Sequence, residues 1–226
     1  MAKKRGKRAS SKSQKAVWNA LAEQWHHFRQ KPFYEIRGKL DGFADEWKPG
    51  KILEVGCGNC RNLVPFAKKG FECHGIDFSL AMLDWAKEYL KKHKITIKLK
   101  RAEATELPYQ DEFFDYIISI ALLHHLETEE DRQQATLEMK RVLKPGGKAI
   151  VAVWNKLQPR FLFKPKDIFL PWHMKGKSYQ RFYHLFTAWE LARLLKNDGF
   201  RILQGNTLGR LLIFVVQKPE PQTQTL

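Results

Sequence analysis

The run Ile52-Leu-Glu-Val-Gly-Cys-Gly58 sets two glycines just after a short apolar segment, and Asp77 follows Gly56 by 21 residues, at the end of the next such segment. Glycines at a strand-to-helix bend lack the Cβ atoms that would hold a ligand away from the backbone. A carboxylate at that distance can accept hydrogen bonds from the two hydroxyls of a ribose. Arg61 stands where a dinucleotide fingerprint would carry its third glycine, so the pattern suits a nucleoside better than a pyrophosphate. Cys57 and Cys60 form a C-x-x-C, but there is no second pair and Cys73 stands alone. Cys57 therefore reads as a small residue that fits beside a ligand, and no metal is expected.

These residues need a frame, and the chain supplies one. From Lys51 onward strand-like and helix-like segments alternate: strands at Lys51 to Val55, Phe71 to Ile76, Ile95 to Lys100, Phe114 to Ile120 and Ala149 to Trp154, with helices at Leu63 to Lys69, Leu80 to Lys92 and Arg132 to Leu143. That alternation predicts parallel strands joined by crossover helices, an α/β sandwich. A helix at Ala188 to Asn197 then precedes strands at Phe200 to Gln204 and Leu211 to Gln217, and the short Gly205 to Gly209 link makes them an antiparallel hairpin. Before the sheet, Val17, Leu21, Trp25 and Phe28 recur at helical spacing, Pro32 should end that helix, and a second helix is expected around Phe33 to Phe43.

The 226 residues carry 40 Lys and Arg against 24 Asp and Glu, a formal net charge of +16, with a pI near 9.8. Such a surplus attracts polyanions. Residues from Met1 to about Gln14 hold Lys3, Lys4, Arg5, Lys7, Arg8 and Lys12 among small polar residues and read as a mobile basic arm for phosphate contact. The rest, 15–226, reads as one domain with a helical extension at 15–46 and an insertion at 155–184. That insertion is expected to be irregular. It sets Lys156, Arg160, Lys164, Lys166, Lys175, Lys177 and Arg181 among Phe161, Phe163, Phe169, Trp172 and Tyr179, cations and ring faces of the kind that single-stranded RNA recognition uses. A packed lid with a solvated basic face is the alternative. No apolar run approaches the roughly 20 residues of a membrane span. The basic start lacks the apolar segment of a secretory signal, and three cysteines give no disulfide framework. The expectation is a soluble, cytoplasmic protein.

With "EVGCG", "GIDFS", "AEATELP", "FDYIISI" and "LKPGG" in this order, the chain resembles the class I S-adenosylmethionine-dependent methyltransferases over roughly Lys51 to Gln217. The resemblance implies a Rossmann-like, mostly parallel seven-stranded sheet with an antiparallel C-terminal hairpin and helices on both faces. It implies a cofactor-binding set of Glu54, Gly56, Cys57, Gly58, Asp77, Phe78, Met82, Glu103, Ala104, Ile120 and Ala121. Within it Gly56, Cys57 and Gly58 would line the methionine, Asp77 would hold the ribose, and Phe78 and Met82 would flank the adenine. Glu103, where the family usually has Asp, and Ala104 would meet the adenine edge; Ile120 and Ala121 would lie under the sulfonium. Cys60 stands where a third family glycine is common.

Four further runs resemble one subfamily, the enzymes that methyl-esterify 5-carboxymethyluridine at the tRNA wobble position. They are Trp18 to Phe33 with its Arg29-Gln-Lys31-Pro-Phe ending, Ser119 to Leu126 with His124-His125, Val153 to Asn155 followed by Asp167 to Trp172, and Arg181 to Leu191 with Tyr183-His184. The resemblance implies Arg29 and His124 as catalytic residues, Lys31, His125, Tyr183 and His184 on the substrate, a tRNA anticodon stem-loop as partner, and a small zinc-binding activator subunit. A carboxylate nucleophile is already ionised at neutral pH and needs cations and donors to orient it. Arg29 and Lys31, expected on the N-terminal helix, and His124, just past the fourth strand, fit that need. Methylation of a small carboxylate or phenol, and an RNA-associated module without catalysis, are the rival readings.

Overall fold

The structure, a computed structural model, describes residues 11–221. The expected basic arm lies outside the described residues as far as residue 10, and from Ser11 the chain is helical. Helix α1 spans Ser11–Phe28. The arm therefore ends sooner than its composition suggested, because Gln14 finds partners: its Nε2 donates to the Gln180 carbonyl and its Oε1 accepts the Phe182 N–H, each at 3.0 Å. A polar residue with both ends satisfied can be buried at little cost. The buried stripe of α1 is Trp18, Leu21 and Ala22, while Phe28 is exposed. A second helix, α2, covers Tyr34–Glu46.

The alternation then runs as the sequence predicts. Strand β1 (Lys51–Val55) leads through a 3-10 turn into α3 (Val64–Lys68), β2 (Glu72–Asp77) into α4 (Leu80–His93), then β3 (Lys98–Arg101) and β4 (Phe114–Ile120), and α5 (Glu129–Val142) into β5 (Leu143–Trp154). Ser79 caps α4 by accepting the Met82 N–H. Strands β6 (Asp167–Met174) and β7 (Lys177–His184) follow, then α6 (Ala188–Asn197), β8 (Arg201–Gly205) and β9 (Leu211–Gln217). One seven-stranded sheet has the order β3-β2-β1-β4-β5-β9-β8. Its first five strands pair in parallel, and β9 pairs antiparallel with both β5 and β8.

Alternate residues of β1 point to opposite faces, Ile52 into one core layer and Leu53 into the other. Strand β4 is buried on both faces along most of its length, as its unbroken apolar run requires. Each large side chain fully buried in these layers contributes about 1.5–3 kcal/mol. Between β1 and β4 the strand order reverses direction. Such a switch point opens a crevice at the carboxyl ends of the strands.

The insertion is not irregular. Strands β6 and β7 form a separate two-stranded sheet in continuous antiparallel register from Asp167–His184 to Met174–Lys177. The two residues between them, Lys175 and Gly176, both have positive φ, 49° and 72°, the conformation a tight hairpin demands. The hairpin and α1 lean together over the crevice mouth, where α1 also packs on α4 through Trp18, Ala22 and Met82. Among the described residues no helix is long and apolar enough to cross a membrane.

Candidate active site

The bend after β1 is held from the side by β2. Gly58 donates its N–H to Asp77 Oδ2 at 3.0 Å, Ser79 donates to Asp77 Oδ1 at 2.9 Å, and the Cys57 N–H reaches the Ile76 carbonyl at 2.8 Å. Gly56 sits at φ 73°, and a Cβ there would lie 2.8 Å from Leu122 Cδ1, so both conformation and space require glycine. Burial pushes the Asp77 carboxyl up to about 6, against the pull of the Ser79 and Gly58 donors. Each Asp77 oxygen has used one lone-pair direction on a backbone donor and retains another for a ligand.

The crevice has two lobes that share Trp18, Gly56, Asp77, Phe78, Leu122 and His125. The larger, of about 240 Å³, adds Glu103 and Ala104; the smaller adds Cys57, Gly58, Met82, Ile120 and Ala121. Ala121 adopts φ 61°, backbone strain of a kind that clusters at ligand sites. Glu103 pairs with Lys15 of α1 at 2.6 Å. Of the expected cofactor set only Glu54 is missing from the wall. It lies behind the bend, fully buried, its Oε1 accepting from Asn62 Nδ2 at 2.6 Å while Oε2 has no partner. Burial drives its carboxyl up to about 8 despite the Asn62 donor.

The two adjacent histidines have opposite placements. His125 faces both lobes; its Nδ1 lies 2.9 Å from the Phe182 carbonyl oxygen, which can only accept. The proton is therefore assigned to Nδ1 and the lone pair to Nε2. Burial, with the Arg181 charge nearby, drives this imidazole down to about 3 in spite of the Phe182 bond, so it stays neutral. His124 lines neither lobe. It is fully buried against Tyr183 and Trp154, its Nδ1 accepts the Trp154 N–H at 3.2 Å, and its Nε2 has no partner. The 3-10 turn Leu123–His125 turns consecutive side chains in different directions, and this puts His124 behind the wall and His125 in it.

Arg29 and Lys31 are not on the helix. Helix α1 stops at Phe28, and both lie in the connection ahead of α2, because the chain leaves helical geometry before Pro32. The Arg29 guanidinium sits 5.3 Å from the Trp25 ring and 5.5 Å from that of Phe33, with its Nε buried and unpartnered. Lys31 is exposed and lines neither lobe. Tyr183 is buried behind His125, ring centroids 4.5 Å apart, and accepts from Arg181 Nη1 at 2.6 Å; burial pushes its hydroxyl up to about 12. His184 stands away from the crevice at the base of the hairpin, bridging Asp167 at 2.6 Å and Glu190 at 3.1 Å.

Trp18, Trp25 and Arg61 also belong to the wall, although no motif marks them as site residues. Trp18 meets His125 edge-on at 4.7 Å and Trp25 at 5.2 Å. Their spacing of seven residues puts both on one helix face. That signal is present in the sequence, but it reads equally as core packing.

Residues 53–151 match the family model of a methyltransferase domain, Methyltransf_11. A protein of Encephalitozoon cuniculi named as a methyltransferase is 33% identical over 175 residues, 74% of this chain and 78% of that protein. This chain belongs to the class I S-adenosylmethionine-dependent methyltransferases. A tRNA (carboxymethyluridine(34)-5-O)-methyltransferase of Arabidopsis thaliana is 38% identical to the methyltransferase over 139 residues, which is 61% of this chain but 31% of that enzyme. The methyltransferase thus spans about a third of that relative's length. One protein chain of a Haloferax volcanii complex between the Trm112 methyltransferase activator and a methyltransferase shares the fold, with a TM-score of 0.70 over 93% of this chain and 98% of that chain at 15% identity. The cofactor of the methyltransferase is S-adenosylmethionine, and the crevice suits it. The glycine bend admits a ligand against the backbone, Asp77 has acceptor capacity left, and Phe78 and Met82 offer apolar faces.

Proposed function

We propose that this methyltransferase forms the methyl ester of 5-carboxymethyluridine at the wobble position of tRNA. Asp77 would hold the ribose of the cofactor, Phe78 and Met82 its adenine, with Glu103 and Ala104 at the adenine edge. Gly56, Cys57 and Gly58 would line its methionine, and Ile120 and Ala121 would lie under the sulfonium. When bound, the cofactor supplies an electrophilic methyl group. The protein's own residues align the acceptor with it and keep water out.

The observation that carries the reading is the state of His125. The imidazole facing the crevice is held to about 3, so it cannot take a proton from an alcohol or phenol at neutral pH, and Asp77 is engaged by Gly58 and Ser79. A carboxylate arrives already ionised and needs no such base. This favours a carboxylate acceptor over a phenolic one. Two further observations support an RNA carrier. The relative from Arabidopsis thaliana is named for carboxymethyluridine at position 34 of tRNA. The hairpin beside the crevice also exposes Phe163 and Phe169 among the lysines of the insertion, and such a surface suits an anticodon stem-loop whose bases can be displaced at modest cost.

A small zinc-binding activator subunit is proposed as partner. The Haloferax volcanii structure contains an activator of methyltransferases, and β3, largely exposed, ends the sheet of this chain with an open edge that a partner strand can extend. A cytoplasmic setting belongs to the same proposal. The test is to offer the methyltransferase, with and without the activator, labelled cofactor and two tRNA preparations that differ only in the carboxymethyl group on uridine. Label should enter only the tRNA that carries the group. Equal labelling of both would refute the reading.

A further inference from the structure

At the end of the crevice bounded by Trp25 and His125, three guanidinium groups converge. Arg29 and Arg61 both lie against Trp25, their carbons 5.3 and 5.9 Å from its ring, and both against Phe33, at 5.5 and 5.7 Å. Arg181, on β7, lies 4.6 Å from the Trp172 ring, and Trp172 meets Trp25 at 5.9 Å. Arg61 and Arg181 are 4% and 8% exposed. The Nε of each of the three is buried and has no hydrogen-bond partner, and among the described residues no ion pair involves any of them.

Such an arrangement is costly unless something else is bound. Burial and mutual repulsion act together: desolvation, with Arg29 adding to it, lowers the values of both Arg61 and Arg181. Glu54 is close enough to offset part of the Arg61 charge, and Arg61 already lines the cofactor lobe and donates to Asn59 Oδ1 at 3.1 Å. Among the described residues Arg181 and Arg29 have no acid of their own, and the only side-chain acceptor of Arg181 is the Tyr183 hydroxyl, whose ring touches His125 in the crevice wall. Arg181 therefore stands one ring behind the place where an acceptor would lie, with buried donors and an unbalanced charge.

We propose that Arg181, paired with Arg29, forms a subsite for the acceptor's carboxylate and sets the preference for a charged over a neutral acceptor. The inference rests on the carboxylate reading above and adds the residue that enforces it. Guanidinium groups suit a small planar carboxylate. A phosphodiester of the RNA backbone is too bulky for groups this buried, and belongs with the exposed lysines of the hairpin. Neutral His125 supplies no charge, so discrimination falls to the arginines. An unpaired buried donor then penalises the neutral analogue.

The test uses the full chain and needs no turnover. The tryptophan fluorescence of Trp25 and Trp172 reports binding of 5-carboxymethyluridine nucleoside and of its neutral carbamoylmethyl analogue, with cofactor present. The wild type should prefer the acid by about tenfold or more, as hydrogen bonds to charged groups do. Arg181→Gln should bring the ratio near one while leaving cofactor affinity within about twofold, and Arg181→Lys, which keeps the charge, should restore part of it. A wild type without preference would sink the carboxylate reading and this inference with it. A wild type that prefers the acid, with Arg181→Gln retaining that preference, would overturn this inference and leave the reading standing. Should Arg181→Gln fail to fold, Arg29→Gln and Arg181→Lys in the same titration decide: an undiminished preference in both overturns the subsite.

Discussion

Gly58 and Asp77 are joined by a hydrogen bond of 3.0 Å from the glycine N–H to the carboxylate Oδ2, so the ligand-facing bend after β1 and the acid at the end of β2 form one rigid unit. A bend and an acid that move together arrive at a ligand preorganised, and the interaction loses less to ordering.

Replacing Asp77 by Asn keeps the shape but turns an N–H donor group toward the donors of Gly58 and Ser79, or leaves one of them unpartnered. Cofactor affinity should fall by about tenfold or more, read by calorimetric titration. Unchanged affinity would remove Asp77 from the ribose site.

Gly56→Ala adds a Cβ at φ 73° within 2.8 Å of Leu122. The expected loss is about 1–3 kcal/mol of folding stability, measured by denaturant titration, together with weakened cofactor binding. Leu122→Ala in the same chain should relieve the clash and leave only the conformational part of the cost.

Burial holds the Asp77 carboxyl near 6 against an ordinary 3.8. The fold alone therefore favours the neutral acid: this group's contribution to stability is largest at low pH and is lost as the pH rises through about 6. Ribose hydroxyls favour the carboxylate instead. Cofactor affinity should thus improve by about tenfold between about pH 5 and about pH 7, with protons released near pH 6. Titrations in buffers of different ionisation enthalpy measure both effects.

With His125 held to about 3, turnover should show no histidine limb. The rate on saturating tRNA is expected to stay flat within about twofold from about pH 6 to about pH 8. A rise through about pH 6.5 to 7 would reveal a base and restore the phenol reading.

The lysines of the hairpin give a separate handle. Affinity for an anticodon stem-loop should decline steeply with salt, and changing Lys164, Lys166, Lys175 and Lys177 together to Gln should flatten that slope by about 0.7 for each phosphate no longer neutralised. Filter binding across a salt series reads it. A flat wild-type response would exclude the phosphate backbone as the main source of affinity.

Much of this frame is legible in the sequence. Strands β4 and β9 and helix α6 match residue for residue from apolar pattern alone, because their burial is set by local periodicity. The bend and Asp77 are legible because glycine pairs and lone acids at fixed spacing have few other uses. The hairpin is not: its alternating cations and rings read as an open surface, and the Lys175-Gly176 turn that closes it is a weak cue without the register. The order of His124 and His125 depends on one step of a 3-10 turn. The partnering of Gln14 with β7 spans more than 160 positions, beyond the reach of any local pattern.

Whether the crevice makes an ester on a wobble uridine is decided by nucleoside mass spectrometry of tRNA carrying 5-carboxymethyluridine, after incubation with the methyltransferase, its activator and S-adenosylmethionine. This nucleoside alone should gain one methyl group, and mild alkali should remove it again, as it does from an ester. A methyl group that survives alkali, or one found on another nucleoside while 5-carboxymethyluridine is untouched, would rule out the esterification.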